Sequence, residues 1–441
     1  MIRRNFCLLA VSAILCGLPD VRLTAREPDG DVPQALFNYV QREEKVFQWQ
    51  LNGRQASEVG VVYDLSLTSQ QWQGIVWKHA LQVYEPAELR HPGHVLLFVT
   101  GGGTGGRPGP GDIQRGLILA KLCGARVATI HQVPNQPLFD GRKEDDLITD
   151  TWLKYLETGD ETWPLLFPMV KSAVKAMDAL EELAAAEWKT PIEGFVITGA
   201  SKRGWTSWLT AVADKRIIAT APMVIDVLNF RPQMKHQLDS WGKYSEQIND
   251  YTSKGLVKEG DETPRDTQLR LMMDPYTYRK QLTLPKLLVN GTNDRYWVED
   301  AMSLYWDDLV GPKYVLQVPN AGHGLDGGHE LALSTIAAFF HHAATKTPLP
   351  ALQWEHAKSA DGFALTVNSN VAPKSAYLWM AHSETKDFRD SKWQSQQLVA
   401  GSNSFVGSVP KPEQGNVAYY SELRFDYHGL PYSLCTVIRV E

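Results

Sequence analysis

Short, continuously apolar runs alternate with helix-like stretches through the middle of this chain. Val95–Thr100, Ala125–Ile130, Phe195–Thr198, Ile217–Ile225, Pro285–Val289 and Tyr314–Val318 carry the pattern of strands buried on both faces. Ile113–Leu122, Leu165–Glu187 and a segment from about Gly328 to His342 read as helices. The alternation implies a mostly parallel sheet with helices on both faces, an α/β fold. Ahead of it, Val61–Leu67 and Ile75–Tyr84 read as strands, and the alternation in the second fits a half-buried antiparallel one. The stretch from His131 to about Trp163 reads as irregular and polar. Residues 230–283 break the rhythm with charged, aromatic, helical sequence, which predicts a cap inserted over the strand ends.

The pattern changes after Thr345, where a proline-containing linker runs to Leu352. Beyond it come Leu352–His356, Phe363–Val367, Ala376–Ala381, Gln394–Val399, Phe405–Val409, Val417–Phe425 and Leu434–Val440. These are short strand-like runs separated by turn residues, without a helix signal. They predict an all-β, immunoglobulin-like sandwich. The expected division is a leader over 1–25, an α/β domain over 35–345 with its cap at about 230–283, and a β-sandwich over 352–441.

Arg3 and Arg4 precede an apolar run from Phe6 to Leu18, the layout of a secretory signal with a cleavage edge near Ala25. The expectation is therefore export, to a periplasmic or extracellular site, with no membrane span left in the mature chain. Outside that leader only Cys123 and Cys435 remain, and their pairing cannot be read from the sequence. No Cys/His spacing suggests a metal site: His91 with His94, and His341 with His342, read as structural. No cofactor is expected. The net charge of -6 is spread without basic blocks, which argues against nucleic acid as a partner.

The chemistry concentrates at three strand ends. Phe195–Thr198 runs into Gly199, Ala200, Ser201, Lys202, Arg203 and Gly204, and a helix-like stretch follows. Strand, tight turn of small residues, then helix is the setting of a nucleophile elbow, although Arg203 stands where the final glycine of G-x-S-x-G belongs. The plainer reading is a serine that caps the helix. The next strands end at Asp294 and at His323, so Ser, Asp and His follow one another in the chain order of α/β-hydrolases. Ser201 would be the nucleophile, His323 the base and Asp294 the orienting acid, with Asp226, past the preceding strand, as the alternative acid. The Lys202 N–H, with a second donor from Gly102 or Gly103 in the run Gly101–Gly106, would form the oxyanion hole.

Gly199–Trp205, Asn290–Asp294 and Pro319–His323 resemble the PhoPQ-activated pathogenicity-related protein family. That resemblance implies an α/β-hydrolase-like fold and export, and says little about substrate. At the elbow the basic Lys202 after the serine is also similar to glucuronoyl esterases. The expected activity is a serine hydrolase acting on a small-molecule, glycan or peptide ester or amide. The competing expectation is a non-catalytic exported binding or signalling protein on the same scaffold.

Overall fold

The computed structural model describes residues 32–399 and 403–441, together with Thr24, Arg26 and Gly30. The expected leader, apart from Thr24, and its cleavage edge at Ala25 lie outside the described residues. Nine strands form the main sheet: β1 (Gln48–Ser57), β2 (Gly60–Trp72), β3 (Ile75–Pro86), β4 (His94–Val99), β5 (Arg126–Ile130), β6 (Gly194–Ala200), β7 (Ile217–Met223), β8 (Lys286–Gly291) and β9 (Lys313–Val318). Their order is β1-β2-β3-β5-β4-β6-β7-β8-β9. The pairs from β1 to β5 are antiparallel, and those from β5 through β4 to β9 are parallel. The chain runs from β4 to β5 and then crosses back over β4 to β6. That reversal opens a crevice at the carboxyl ends of β4 and β6, where open α/β sheets bind ligands.

Helices cover both faces. α2 (Pro110–Cys123) packs with α9 (His329–Ala344), and α4 (Leu166–Leu183) packs with α1 (Ala35–Gln41) and α5 (Lys202–Ala213). The architecture is that of an α/β-hydrolase core. One helix departs from the sequence expectation: α3 (Glu144–Thr158) occupies the stretch read as irregular. Leu147, Ile148, Thr151, Trp152 and Tyr155 form its buried face. Its first turn holds Glu144, Asp145 and Asp146, which made it look like a polar loop although acids suit a helix N-terminus. The cap contains α6 (Phe230–Trp241), α7 (Asn249–Thr252) and α8 (Pro264–Met273).

The C-terminal region is all β and its strands stay out of the main sheet. β10 (Leu352–Lys358), β11 (Gly362–Ser369) and β14 (Ser404–Pro410) form one sheet. β12 (Ser375–Ser383), β13 (Gln394–Gln397), β15 (Asn416–Tyr427) and β16 (Leu430–Cys435) form another, to whose β15 strand β17 (Arg439–Val440) pairs. The last expected run is thus two strands. Rings from the two sheets meet, as where Phe363 stacks 6.3 Å from Tyr419. The region docks through β16: Ser433 N–H donates to Thr335 Oγ1 of α9 (3.3 Å), and Gln317 N–H of β9 points at Cys435 Sγ (3.4 Å). Cys123 and Cys435 are separate buried thiols.

One histidine of each expected pair, His91 and His341, ties separate elements together. His341 Nε2 meets the Leu122 carbonyl at 2.9 Å, and its Nδ1 lies 2.8 Å from His91 Nε2, which ties the end of α9 to the end of α2 and the turn before β4. His79 sits between Ser69 Oγ and the His131 carbonyl, both at 2.9 Å. Burial pushes both His79 and His341 down to about 4, so both are neutral in the folded chain near neutral pH.

These depressed values set a pH dependence. Each neutral histidine contributes stability that is complete above the unfolded value of about 6.5 and is lost as pH falls toward 4, on the order of 3 kcal/mol per group. Asp226 and Asp274, which burial raises to about 7 and about 6, act in the opposite sense. The effect is therefore read as a difference. The stability gap between wild type and His79→Gln, measured by urea unfolding, should narrow from pH 7.5 to pH 4.5. A gap that stays constant would mean that His79 is not held neutral.

Candidate active site

Ser201 links β6 to α5 with φ 57° and ψ -125°. A non-glycine residue at such angles is strained by about 1–3 kcal/mol, and the packing around it must hold it there. Its N–H donates to the Met223 carbonyl of β7 (2.9 Å), and its carbonyl accepts from Trp205 N–H (2.9 Å). Gly199 and Gly204 flank it for steric reasons. A Cβ on Gly199 would lie 2.7 Å from the Arg203 carbonyl oxygen. One on Gly204 would lie 2.8 Å from Ile225 Cγ2 and 2.9 Å from the Gly199 and Met223 oxygens. The close approach falls at the third residue after the serine, so this elbow reads G-x-S-x-x-G, which accounts for Arg203 in the expected glycine's place.

Arg203 has a structural task. Its guanidinium binds Glu144 of α3 through two hydrogen bonds (2.7 and 2.8 Å), and its Nε donates to the Val133 carbonyl (2.6 Å). It also covers Gly101, where a Cβ would lie 2.5 Å from Nη2. Burial would raise the Glu144 carboxyl, but the hydrogen bonds and charge of Arg203 hold it down to about 2. The loop after β4 is thereby fixed beside the elbow. Gln132 N–H donates to the Gly101 carbonyl (2.8 Å), Val133 N–H to Thr100 (3.1 Å), and Thr104 N–H to Gln136 (2.7 Å). Within this loop Gly102 and Gly103 donate their N–H groups to no acceptor among the described residues, and neither does Lys202.

His323 and Asp294 are brought together. His323 Nδ1 lies 2.8 Å from Asp294 Oδ2, and the other carboxylate oxygen accepts the Tyr296 N–H at 3.0 Å. Asp294 is buried and His323 half-buried. Among the described residues no hydrogen bond joins Ser201 Oγ to the imidazole. Asp226, the alternative acid, is elsewhere engaged: it accepts from the Tyr305 hydroxyl and from Asn290 Nδ2 (3.1 Å). Burial pushes its carboxyl up to about 7, so it is a poor permanent anion.

Two further residues of the site carry no signal in the sequence. The Tyr296 ring packs 4.3 Å from the His323 ring, and its hydroxyl reaches Asp145 Oδ2 at 3.3 Å. Asp145, on α3, also accepts from Lys202 Nζ (3.0 Å) and the Tyr251 hydroxyl (3.0 Å). Lys202 is therefore buried and charge-neutralised at the side chain. Ser201, Lys202, Asp145 and Tyr296 all line a cavity of roughly 580 Å³ roofed by the cap. Recognising Asp145 requires knowing that α3 exists, and nothing local marks it.

The C-terminal region reaches this site. Asn293, beside the acid, donates from Nδ2 to the carbonyls of Phe388, Arg389 and Ser391 at 3.3, 3.2 and 2.8 Å. Asn320, in the loop before His323, exchanges hydrogen bonds with the Trp393 backbone (3.1 and 2.8 Å). Arg389 pairs with Glu246 of the cap at 3.0 Å.

The family model for the PhoPQ-activated pathogenicity-related protein matches residues 36–389. Autocrine proliferation repressor protein A of Dictyostelium discoideum is 31% identical over 427 residues, covering 89% of this chain and 86% of that protein. Acetyl xylan esterase from Paenibacillus sp. R4 superposes with a TM-score of 0.48 at 14% identity, over 69% of this chain and 91% of that one. Acetyl xylan esterase 1 from Thermoanaerobacterium sp. JW/SL YS485 does so with a TM-score of 0.48 at 16% identity, over 71% and 96%.

Two substitutions check the geometry. Gly204→Ala forces a methyl against two backbone oxygens and Ile225, and should cost about 1–3 kcal/mol in urea unfolding. Gly111→Ala, in the first turn of α2, gives no such contact, because nothing lies within 4 Å of its Cβ position, and serves as the comparison. Equal costs for the two would remove the close-approach argument. Asn293→Ala leaves three carbonyls without their shared donor and should destabilise by about 1–3 kcal/mol. Unchanged stability would mean that the 388–391 segment is not held through Asn293.

Proposed function

The chain belongs to the PhoPQ-activated pathogenicity-related protein family, and from that premise we propose that it is an exported serine hydrolase cleaving an ester or amide through Ser201, His323 and Asp294. One observation carries the reading. The 2.8 Å contact of His323 Nδ1 with Asp294 lies at the same sheet edge as the strained Ser201 and the Gly102–Gly103 loop. With Nδ1–H donated to Asp294, Nε2 is the free basic nitrogen. It takes the Ser201 proton as Oγ attacks the carbonyl, and gives it to the leaving group as the tetrahedral intermediate collapses. Lys202 N–H, with Gly102 or Gly103 N–H, stabilises the oxyanion. Water then repeats the sequence on the acyl-enzyme. No metal or cofactor enters this scheme. The substrate approaches through the cap cavity.

Export rests on the sequence of residues 1–25, and no helix among the described residues is long and apolar enough to cross a membrane. The division into an α/β-hydrolase unit over 35–345 and a β unit over 352–441 is part of the same proposal. The facing sheets of the latter support an immunoglobulin-like sandwich.

A second reading is a non-catalytic exported binding or signalling protein. It is favoured by the missing hydrogen bond between Ser201 and His323, and by similarity to a protein named as an autocrine proliferation repressor. Catalytic hydrogen bonds are often long before substrate binds, so the first reading stands ahead.

Activated esters and a fluorophosphonate probe separate the two. Ser201→Ala and His323→Ala should each reduce ester turnover by about 10⁴-fold or more, with similar losses because the two act as a unit. Asp294→Asn should be severe but milder. Undiminished turnover in Ser201→Ala, or a wild type inert to both reagents, would end the hydrolase reading.

A further inference from the structure

The cap helix α6 is amphipathic in the unexpected sense. Its fully buried positions are polar: Gln233 and Gln237 turn toward the protein body. Gln233 Nε2 donates to the carbonyls of Leu228 (3.1 Å) and Ala301 (3.3 Å), and Gln237 Nε2 to that of Tyr296 (2.9 Å). Its apolar positions, Phe230, Met234 and Leu238, recur at the spacing of one helical face and line the cavity, where they remain only half-buried. A surface helix ordinarily does the reverse. The polar face does the anchoring here, which leaves an apolar stripe directed at the space above Ser201.

The rest of the cavity agrees. Trp152 and Trp205 stand edge to face with centroids 5.9 Å apart, and Leu256 and Val257 continue the apolar wall. Of the charged groups around it, the exposed Arg231 and Glu259 have no ion-pair partner among the described residues, and the others are paired. Lys258 pairs with Asp266 at 2.6 Å, Arg270 with Glu262 at 2.9 Å, and Lys202 with Asp145 at 3.0 Å. The wall thus offers dispersion contacts and little free charge. Its volume, roughly 580 Å³, falls in the range of about 300–1,000 Å³ that holds a small organic ligand.

Resting on the hydrolase reading above, we infer that the cap cavity is an acyl-chain site, and that the preferred substrates are esters or amides of apolar acyl groups much longer than acetyl. The chain lies along Phe230, Met234 and Leu238, with its carbonyl carbon at Ser201. Water attacks the acyl-enzyme and releases the free acid, while the alcohol or amine leaves with the proton from His323.

The test is a series of p-nitrophenyl esters from acetyl to decanoyl, with kcat/KM as the readout. Burial of each methylene is worth about fourfold. Octanoyl should therefore exceed acetyl by at least about 100-fold. Met234→Trp and Leu238→Trp fill the site, and each should lower the octanoyl-to-acetyl ratio by about tenfold or more. A wild type that turns over acetyl as well as octanoyl, or ratios unmoved in both variants, overturns the inference and leaves the hydrolase reading intact. Calorimetry on Ser201→Ala with neutral 2-decanone against acetone reads the site without catalysis. Saturable decanone binding weakened by Met234→Trp supports the cavity as an apolar-chain site; if every ester proves inert as well, the hydrolase reading and the substrate assignment that rests on it fail together, and only the chain-binding site stands. Absence of decanone binding overturns the site.

Discussion

The site depends on how closely three pieces of backbone pass at Ser201. β6 enters the turn, α5 leaves it, and β7 runs alongside. The Gly199 and Gly204 positions leave no room for a Cβ against the Arg203, Val99 and Met223 carbonyls. This crowding holds Ser201 at its positive φ, because a relaxed serine would push helix and strand apart. The strain is offset by the surrounding core. β6 and α5 are almost wholly buried, and the apolar strands β4, β6 and β7 lock the frame that the turn must fit.

Arg203 carries the constraint sideways. It begins at the elbow, lies over Gly101 and ends on Glu144 of α3, joining the nucleophile turn, the loop after β4 and the first turn of that helix. The next residue of α3, Asp145, then binds Lys202, Tyr251 and Tyr296. Adjacent acids on one helix thus neutralise adjacent bases at the elbow. The Lys202–Asp145 pair is buried on both sides and the Arg203–Glu144 pair on the arginine side; such pairs add little net stability beyond their desolvation cost, but breaking one leaves an uncompensated charge inside the protein. Their effect is to fix register: Ser201 and the Gly102–Gly103 amides cannot shift independently.

Much of this was legible in the sequence. The parallel strands, the helices α2, α4, α5 and α9 and the all-β C-terminal region follow from apolar periodicity, since each buries a regular face, and the cap follows from the break in that rhythm. The Ser201, Asp294 and His323 positions follow from strand ends. The helix α3 did not, because its acidic first turn and its Thr-rich body mask the buried face of Leu147, Ile148 and Trp152. Asp145 and Tyr296 were missed as well. Each acts through a partner distant in sequence: Tyr296 reaches Asp145 over 151 positions. In the sequence the glycine offset at the elbow is only a departure from the G-x-S-x-G pattern. Only the contacts of Gly204 give it a reason.

The acid and base loops also take their positions from outside the α/β sheet. Asn293 and Asn320 stand one and three residues before Asp294 and His323, and both side chains close on backbone of the 388–393 segment. That segment holds Arg389, which is buried, lies over the Trp241 ring at 4.0 Å and pairs with Glu246 in the cap. One stretch between β12 and β13 therefore touches the acid loop, the histidine loop and the cap together. A loop placed so cannot move without altering the frame of all three. Backbone carbonyls and buried amides are directional partners that tolerate little displacement. The C-terminal region in this sense buttresses the site from behind, and the geometry of Asp294 and His323 is a property of both parts of the chain.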